Sequence, residues 1–308
     1  MQEACIIGRG ERPNSQPRRK NAIAPVSGTA CLAMLVGFDA ASAPVKQDYT
    51  IDAVDPGIKL FVRSKMDEPA ANNKPLTRSF LAIRDIGAVV DHIRKKHNVN
   101  RVTLIGWSWG AMTAGYYASL SSEKVRKLVL YAPAYSFPLH TNLGPGSGLQ
   151  DRRKPYQFNY ALGAYRLGSK AANDGRWDGE IPVADKSAFR EEGVRDAFAL
   201  EALKTDPTSE LRNPPSLRAP NGVVEDSFMQ STGRAMWNAS SIYVPTLLIA
   251  GEFDTWSYPE DREGLMRDLT NAPVKKSVVI RNATHFVLFE KPRFEFFNAI
   301  LDFLREKP

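Results

Sequence analysis

The chain has 308 residues, 43% hydrophobic and 24% charged, an ordinary globular composition that excludes disordered, collagen-like and polytopic membrane readings. Lys and Arg number 41 against 34 Asp and Glu, a net +7 that is dispersed along the chain. The densest basic runs, Arg18-Arg19-Lys20, Arg94-Lys95-Lys96 and Arg152-Arg153-Lys154, form no groove-lining stripe, so nucleic-acid binding is not expected.

Arg18-Arg19-Lys20 precedes a mildly apolar run, 22–38, that ends in Ala41-Ser42-Ala43 before Pro44. That is the basic, apolar, small-x-small order of a secretory signal, and the paired arginines allow a twin-arginine route. Residues 1–43 are therefore expected to be an export segment outside the fold, the mature chain being periplasmic or secreted. The alternative is a cytoplasmic chain in which this segment is no signal. Cleavage after Ala43 would remove Cys5 and Cys31, the chain's two cysteines, and with them any disulfide or zinc-thiolate chemistry.

From residue 49 the pattern alternates. Two short strands, 49–54 and 58–63, flank the turn signal Asp55-Pro56-Gly57. Phe80, Ile83, Ile86, Val90 and Ile93 recur at helical spacing and predict an amphipathic helix over 76–97. Buried strands follow at 101–105 and 127–131, with a helix starting at Ala111 between them. Further strands come late, at 243–250 and 277–280, and residues 293–305 close the chain as a helix. Strands alternating with helices predict an α/β fold with a mostly parallel sheet flanked by helices. Between the second and third buried strands the rhythm breaks for about a hundred residues, too many for a loop. The expected organisation is a core of 44–133 and 242–308, interrupted by a mainly helical cap of 134–241.

The chemistry concentrates at the ends of the late strands. Gly106-Trp107-Ser108-Trp109-Gly110 lies between the apolar run 102–105 and the helix that begins Ala111-Met112-Thr113. A sharp strand-to-helix turn there lifts the Ser108 hydroxyl above the sheet and needs small residues at Gly106 and Gly110. A serine hydroxyl needs a base and an orienting carboxylate to act as a nucleophile. Of four histidines, His92 and His97 belong to a solvated helix end, and His140 opens the insertion. His285, in Asn282-Ala283-Thr284-His285-Phe286, falls just past a late strand. Asp254, in Gly251-Glu252-Phe253-Asp254, follows another, with Asp261 in reserve and Glu252 a loop carboxylate.

The elbow, the Gly251 to Asp254 segment and Ala283-Thr284-His285-Phe286, in the order Ser, Asp, His, resemble the catalytic segments of the α/β-hydrolase family. The likeness covers about 49–306 apart from the insertion. It implies Ser108 as nucleophile, His285 as base, Asp254 as its orienter and the Trp109 amide as an oxyanion donor, acting on a carboxylic ester-like bond of a small molecule. A serine at this position separates the chain from the aspartate-dependent dehalogenases and epoxide hydrolases of the same fold. No metal cluster, dinucleotide fingerprint or phosphate loop is present in the sequence, and no cofactor is expected.

The chain also departs from that family. The family carries a His-Gly oxyanion motif after its third strand, and this sequence contains no His-Gly pair. Only ten residues, 66–75, with two prolines and no apolar run, join the second strand to the first helix, too few for the family's third and fourth strands. The sheet is expected to be incomplete. Either the 49–63 hairpin pairs directly with strand 101–105, or that strand is an open edge. Two readings follow: a serine hydrolase, or a non-catalytic homologue. An acyltransferase, or a hydrolase of C–C, amide or lactone bonds, shares the same triad.

Overall fold

A computed structural model describes residues 74–135 and 142–306, together with the backbone of 4–5, 45–52 and 59–66. The chain divides into two compact units, one of residues 7–68 and one of residues 1–6 and 69–308.

Chain order begins with β1 (Ala4–Cys5), β2 (Val45–Asp52) and β3 (Lys59–Met66). The smaller unit holds β2 and β3 as an antiparallel hairpin, paired from Val45↔Met66 to Asp52↔Lys59. The larger unit continues with α1 (Ser79–His97), β4 (Val102–Trp107), α2 (Trp109–Leu120) and β5 (Val125–Tyr131). An insertion follows, containing β6 (Tyr165–Ser169), α3 (Lys170–Glu180), α4 (Val194–Lys204), β7 (Ser216–Pro220) and α5 (Gly222–Ser231). The core resumes with β8 (Thr246–Gly251), α6 (Pro259–Asp268), β9 (Lys275–Ile280) and α7 (Arg293–Arg305).

The main sheet has the order β1-β4-β5-β8-β9, and every pair within β4-β5-β8-β9 is parallel. Its two central strands, Val125-Arg126-Lys127-Leu128-Val129-Leu130-Tyr131 and Thr246-Leu247-Leu248-Ile249-Ala250-Gly251, are nearly continuous apolar runs because helices cover both faces. Side chains alternate between those faces. Leu128, Leu130 and Leu248 pack with Ile86 and Val90 of α1, Ala111, Ala114 and Tyr117 of α2, and Leu265 of α6. Val129, Tyr131, Leu247 and Ile249 pack on the other side with Phe296, Ile300 and Phe303 of α7. Lys127 is buried on that second side, and its ammonium donates to the carbonyls of Phe303 (2.5 Å) and Glu306 (2.7 Å) at the C-terminal end of α7. A cation there meets the negative end of the helix.

Of the two outcomes expected at the sheet's outer side, pairing with the hairpin is not made: among the described residues, β2 and β3 are ladder-bonded only to each other. The outer edge of β4 instead takes β1 antiparallel, Ala4↔Gly106 and Cys5↔Ile105, so residues 4–5 join the sheet where no part of 1–43 was expected to. The rest of the expected export segment lies outside the described residues.

Helix α1 begins three residues later than its apolar period predicts. Thr77 holds a left-handed φ of 58°, and the Ser79 amide and hydroxyl both donate to Asp226, at 2.5 and 2.6 Å. The first turn has no acidic residue of its own, and Asp226 of α5 supplies the negative charge that a helix N-terminus favours. The insertion is thereby tied to the start of α1, an attachment reinforced by the ion pairs of Arg78 with Asp226 and Glu225.

Candidate active site

Ser108 sits between β4 and α2 with φ 57° and ψ −124°, a strained backbone for a non-glycine residue. Its amide donates to the Tyr131 carbonyl on the neighbouring strand (2.9 Å), and its carbonyl accepts the first α2 bonds, from Ala111 (2.9 Å) and Met112 (3.2 Å). Close approach of strand and helix requires Gly106, since an added Cβ would collide with the Gly110 carbonyl and lie 2.7 Å from Ala111 Cα. The Trp109 amide is the first of α2 and has no acceptor within its own helix, so it is free to bind an anion.

Asp254 follows β8 and His285 follows β9, both beyond the carboxyl ends of parallel strands, as Ser108 is beyond β4. Asp254 Oδ1 accepts the amides of Trp256 (2.8 Å) and Ser257 (2.9 Å), which fixes the carboxylate. His285 Nδ1 lies 3.1 and 3.0 Å from the two Asp254 oxygens, with both side chains buried. The loops carrying them touch closely: Phe253 donates to Ala283 O (2.8 Å), and a Cβ on Gly251 would lie 2.6 Å from that same oxygen. Only glycine fits there.

The imidazole is walled by Trp107 at 5.7 Å, Tyr131 at 6.4 Å and Phe286 at 5.8 Å between ring centres. Its Nε2 is buried with no hydrogen-bond partner, so the Ser108–His285 hydrogen bond that the triad reading expects is not made in this structure. Trp107 Nε1 and Glu180 Oε1 are likewise buried and unpartnered.

Four consecutive peptide amides around His285 are held by side chains. Thr284 N–H donates to Glu290 (2.8 Å), His285 N–H to Glu180 (2.9 Å), Phe286 N–H to Thr284 Oγ1 (3.2 Å) and Val287 N–H to the Tyr131 hydroxyl (3.2 Å). The Tyr131 hydroxyl in turn donates to Thr284 O (3.0 Å). Glu290 also accepts the Trp177 indole N–H at 2.8 Å, and Trp177 stacks on Phe286 at 4.9 Å and 21°.

Sequence reasoning missed Glu180, Glu290 and Tyr131. Trp177 and Glu180 stand three apart on α3, one helical face, which is the one signal that could have paired them.

The electrostatics follow from burial and these partners. Burial works against a charged His285, but the Asp254 charge and hydrogen bond, with Glu180 behind them, raise its pKa above the ordinary histidine value. Burial also works against an ionised Asp254, yet the imidazole and the two amides lower its pKa. Burial pushes Glu180 up to about 7, with the His285 charge opposing the shift and the Asp254 charge adding to it.

The remaining candidates fall elsewhere. His92 and His97 are exposed on α1, and His140 lies outside the described residues. Asp261 is buried as a cap, accepting Tyr135 N–H (2.7 Å) and Tyr258 N–H (3.1 Å) at the start of α6. Glu252 is exposed and accepts Asn282 N–H at 2.9 Å. The insertion's aromatics split. Tyr135 and Phe158 are buried in local clusters, Trp177 packs on the histidine loop, and Tyr156 and Tyr160 are exposed. Among the described residues no group of His, Cys, Asp and Glu is arranged to hold a metal ion. No described helix is long and apolar enough to cross a membrane.

Comparison with known proteins agrees with this architecture. The family described as serine aminopeptidase, S33 matches residues 77–292, and the chain belongs to that family, which has the α/β-hydrolase fold. Comparison with curated protein sequences gives no match. Solved structures similar to this chain include a monoacylglycerol lipase from Paleococcus ferrophilus, at 18% identity over 80% of this chain and 83% of that one, TM-score 0.47. Another is the thioesterase domain from the curacin biosynthetic pathway, at 16% identity over 80% and 82%, TM-score 0.47. A third is E-2-(acetamidomethylene)succinate hydrolase, at 14% identity over 82% and 83%, TM-score 0.49. Family membership rests on the sequence match. Within the matched residues, the parallel strands of the main sheet are β4, β5, β8 and β9. The family's third and fourth strands have no counterpart among the described residues.

Proposed function

We propose that the chain is a serine hydrolase that cleaves a carboxylic ester-like bond of a small molecule through Ser108, His285 and Asp254. The observation that carries this reading is the buried Asp254–His285 pair, joined at Nδ1, at the same end of the sheet as a strained serine heading a helix. In the first step Ser108 Oγ attacks the carbonyl carbon while its proton passes to His285 Nε2. The oxyanion accepts the Trp109 N–H, and the carbonyl re-forms as His285 gives the proton to the leaving alcohol. Water then repeats the sequence on the acyl-enzyme and releases the acid. Asp254 holds the tautomer that leaves Nε2 free as the base. The insertion, 134–241, serves as a cap over this site, and residues 1–43 serve export, their removal taking β1 from the edge of β4.

The unpartnered His285 Nε2 favours a second reading, a homologue whose triad does not close. A fluorophosphonate probe separates the two. It transfers its phosphonyl group to an activated serine oxygen and expels fluoride, the proton going to the base. Covalent labelling that is lost in Ser108→Ala and in His285→Ala supports the hydrolase. Folded protein that takes no label supports the non-catalytic homologue.

A further inference from the structure

The geometry points to Glu180, the last residue of α3, as a positioning residue for His285: its carboxylate carries the histidine's own peptide N–H and supplies a second negative group facing the imidazole. The inference rests on the reading of His285 as the base.

Glu180 is 5% exposed, and its Oε2 accepts the His285 amide at 2.9 Å. Its Oε1 is buried with no partner. A carboxylate in that position is costly twice over. Its second oxygen has lost water without replacement, and the residue ends a helix, where exposed carbonyls repel negative charge. A buried acid kept under such conditions calls for a reason. Of the four side chains that hold the amides 284–287, Glu180 is the one contributed by the insertion. The same face of α3 supplies Trp177, bonded to Glu290, and Arg176, whose guanidinium stands 4.4 Å over Trp256 and 5.5 Å over Phe286. Helix α3 therefore grips the histidine loop at three successive points, and Glu180 is the point at the histidine itself.

The titratable and charged groups facing Glu180 come from several elements. His285 lies on the loop after β9, Asp254 on the loop after β8, Tyr131 on β5 and Arg176 one turn back on α3. Asp254 already neutralises an imidazolium through Nδ1. A second carboxylate on the backbone side strengthens the hold on that proton and couples the ionisation of the two groups, the imidazolium charge opposing the burial that pushes the Glu180 carboxyl up to about 7. Glutamine at this position keeps an acceptor for the His285 amide and removes the charge, so it separates the electrical role from a merely structural one.

The test is the titration of the His285 ring, read by NMR on isotope-labelled histidine in the full chain. In Glu180→Gln the His285 midpoint should fall by about 1 pH unit, the lower end of what one nearby charge produces. The acidic limb of kcat/KM should move with it. In Glu180→Ala the midpoint falls equally and kcat drops further, because the loop loses its tie. An unchanged His285 midpoint in Glu180→Gln, with Ser108 still labelled by fluorophosphonate, overturns the proposal. A shifted midpoint without labelling removes the hydrolase reading, and the positioning role that rests on it, while the charge contact between the two groups remains. If neither variant folds, the unsubstituted chain gives the same answer through the Glu180 carboxyl carbon. Two-step curves shared with His285 support the coupling, and independent single steps overturn it.

Discussion

His285 Nδ1 is held almost evenly between the two oxygens of Asp254, at 3.1 and 3.0 Å. Such a contact dictates which nitrogen keeps the proton. Asp254→Asn would present an amide N–H to Nδ1 and favour the opposite tautomer, blocking Nε2 as a base. The expected loss in kcat on a short-chain p-nitrophenyl ester is about 10⁴-fold. A variant within tenfold of the unsubstituted chain would remove Asp254 from the mechanism.

The pH dependence follows from the same pair. The proposed attack requires a neutral imidazole, and Asp254 and Glu180 outweigh burial to raise the His285 pKa above its ordinary 6.5. The kcat/KM profile should therefore decline as pH falls through a midpoint above 6.5. Asp254→Asn removes the larger of the two attractive charges, so the residual activity should titrate at lower pH. An acid limb below the ordinary histidine value in the unsubstituted chain would contradict the assignment.

Glu180 carries a stability signature of opposite sign to that of an ordinary salt-bridged acid. Burial raises its carboxyl from 4.5 to about 7, so between those values the folded chain holds a proton that the unfolded chain has released. Stability from this group is complete below the lower value and is lost as pH rises through the upper one, by about 3 kcal/mol in all. Urea unfolding of Glu180→Gln should show an advantage over the unsubstituted chain that grows across this window. A difference independent of pH would mean that Glu180 titrates normally.

Gly251→Ala tests the contact between the acid and base loops. Its Cβ would lie 2.6 Å from Ala283 O and force the two loops apart. A stability loss of about 1–3 kcal/mol is expected in urea unfolding, as for other overpacked sites. The His285–Asp254 hydrogen bond should lengthen with it, read as a fall in the His285 midpoint. Neutral behaviour would mean that the loops yield freely.

The edge strand β1 makes a smaller claim. It contributes two residues to the sheet, so a chain that starts at Pro44 should keep its thermal midpoint to within about 4 °C. A larger fall would show that residues 1–43 pack beyond those two pairs.

Local signals carried much of the core. Apolar runs at 127–131 and 243–250 located the central strands because both faces of a covered parallel sheet are dry. Gly106, Ser108 and Gly110 located the turn, and Asp254 and His285 were legible from their places after strands. What the sequence hid was polar and long-range. Glu180 carries no signal of its own until α3 is seen to pack on His285, 105 positions away. The start of α1 depends on Asp226, 147 positions distant, which no helical period records. Strand patterning also does not say which strands share a sheet: β2 and β3 satisfy each other's ladders residue for residue, and the outer edge of β4 takes β1.

Tyr131 spans the site in a way that bears on its tuning. Its backbone carbonyl takes the Ser108 amide, while its phenol joins the Thr284 carbonyl to the Val287 amide on either side of His285. Burial raises the phenol's pKa far above its ordinary value, so it stays protonated and keeps donating under basic conditions. One residue thus acts as a ruler laid between the serine turn and the histidine loop. The serine turn and the histidine loop are thereby tied to one residue, through its backbone at the first and its phenol at the second.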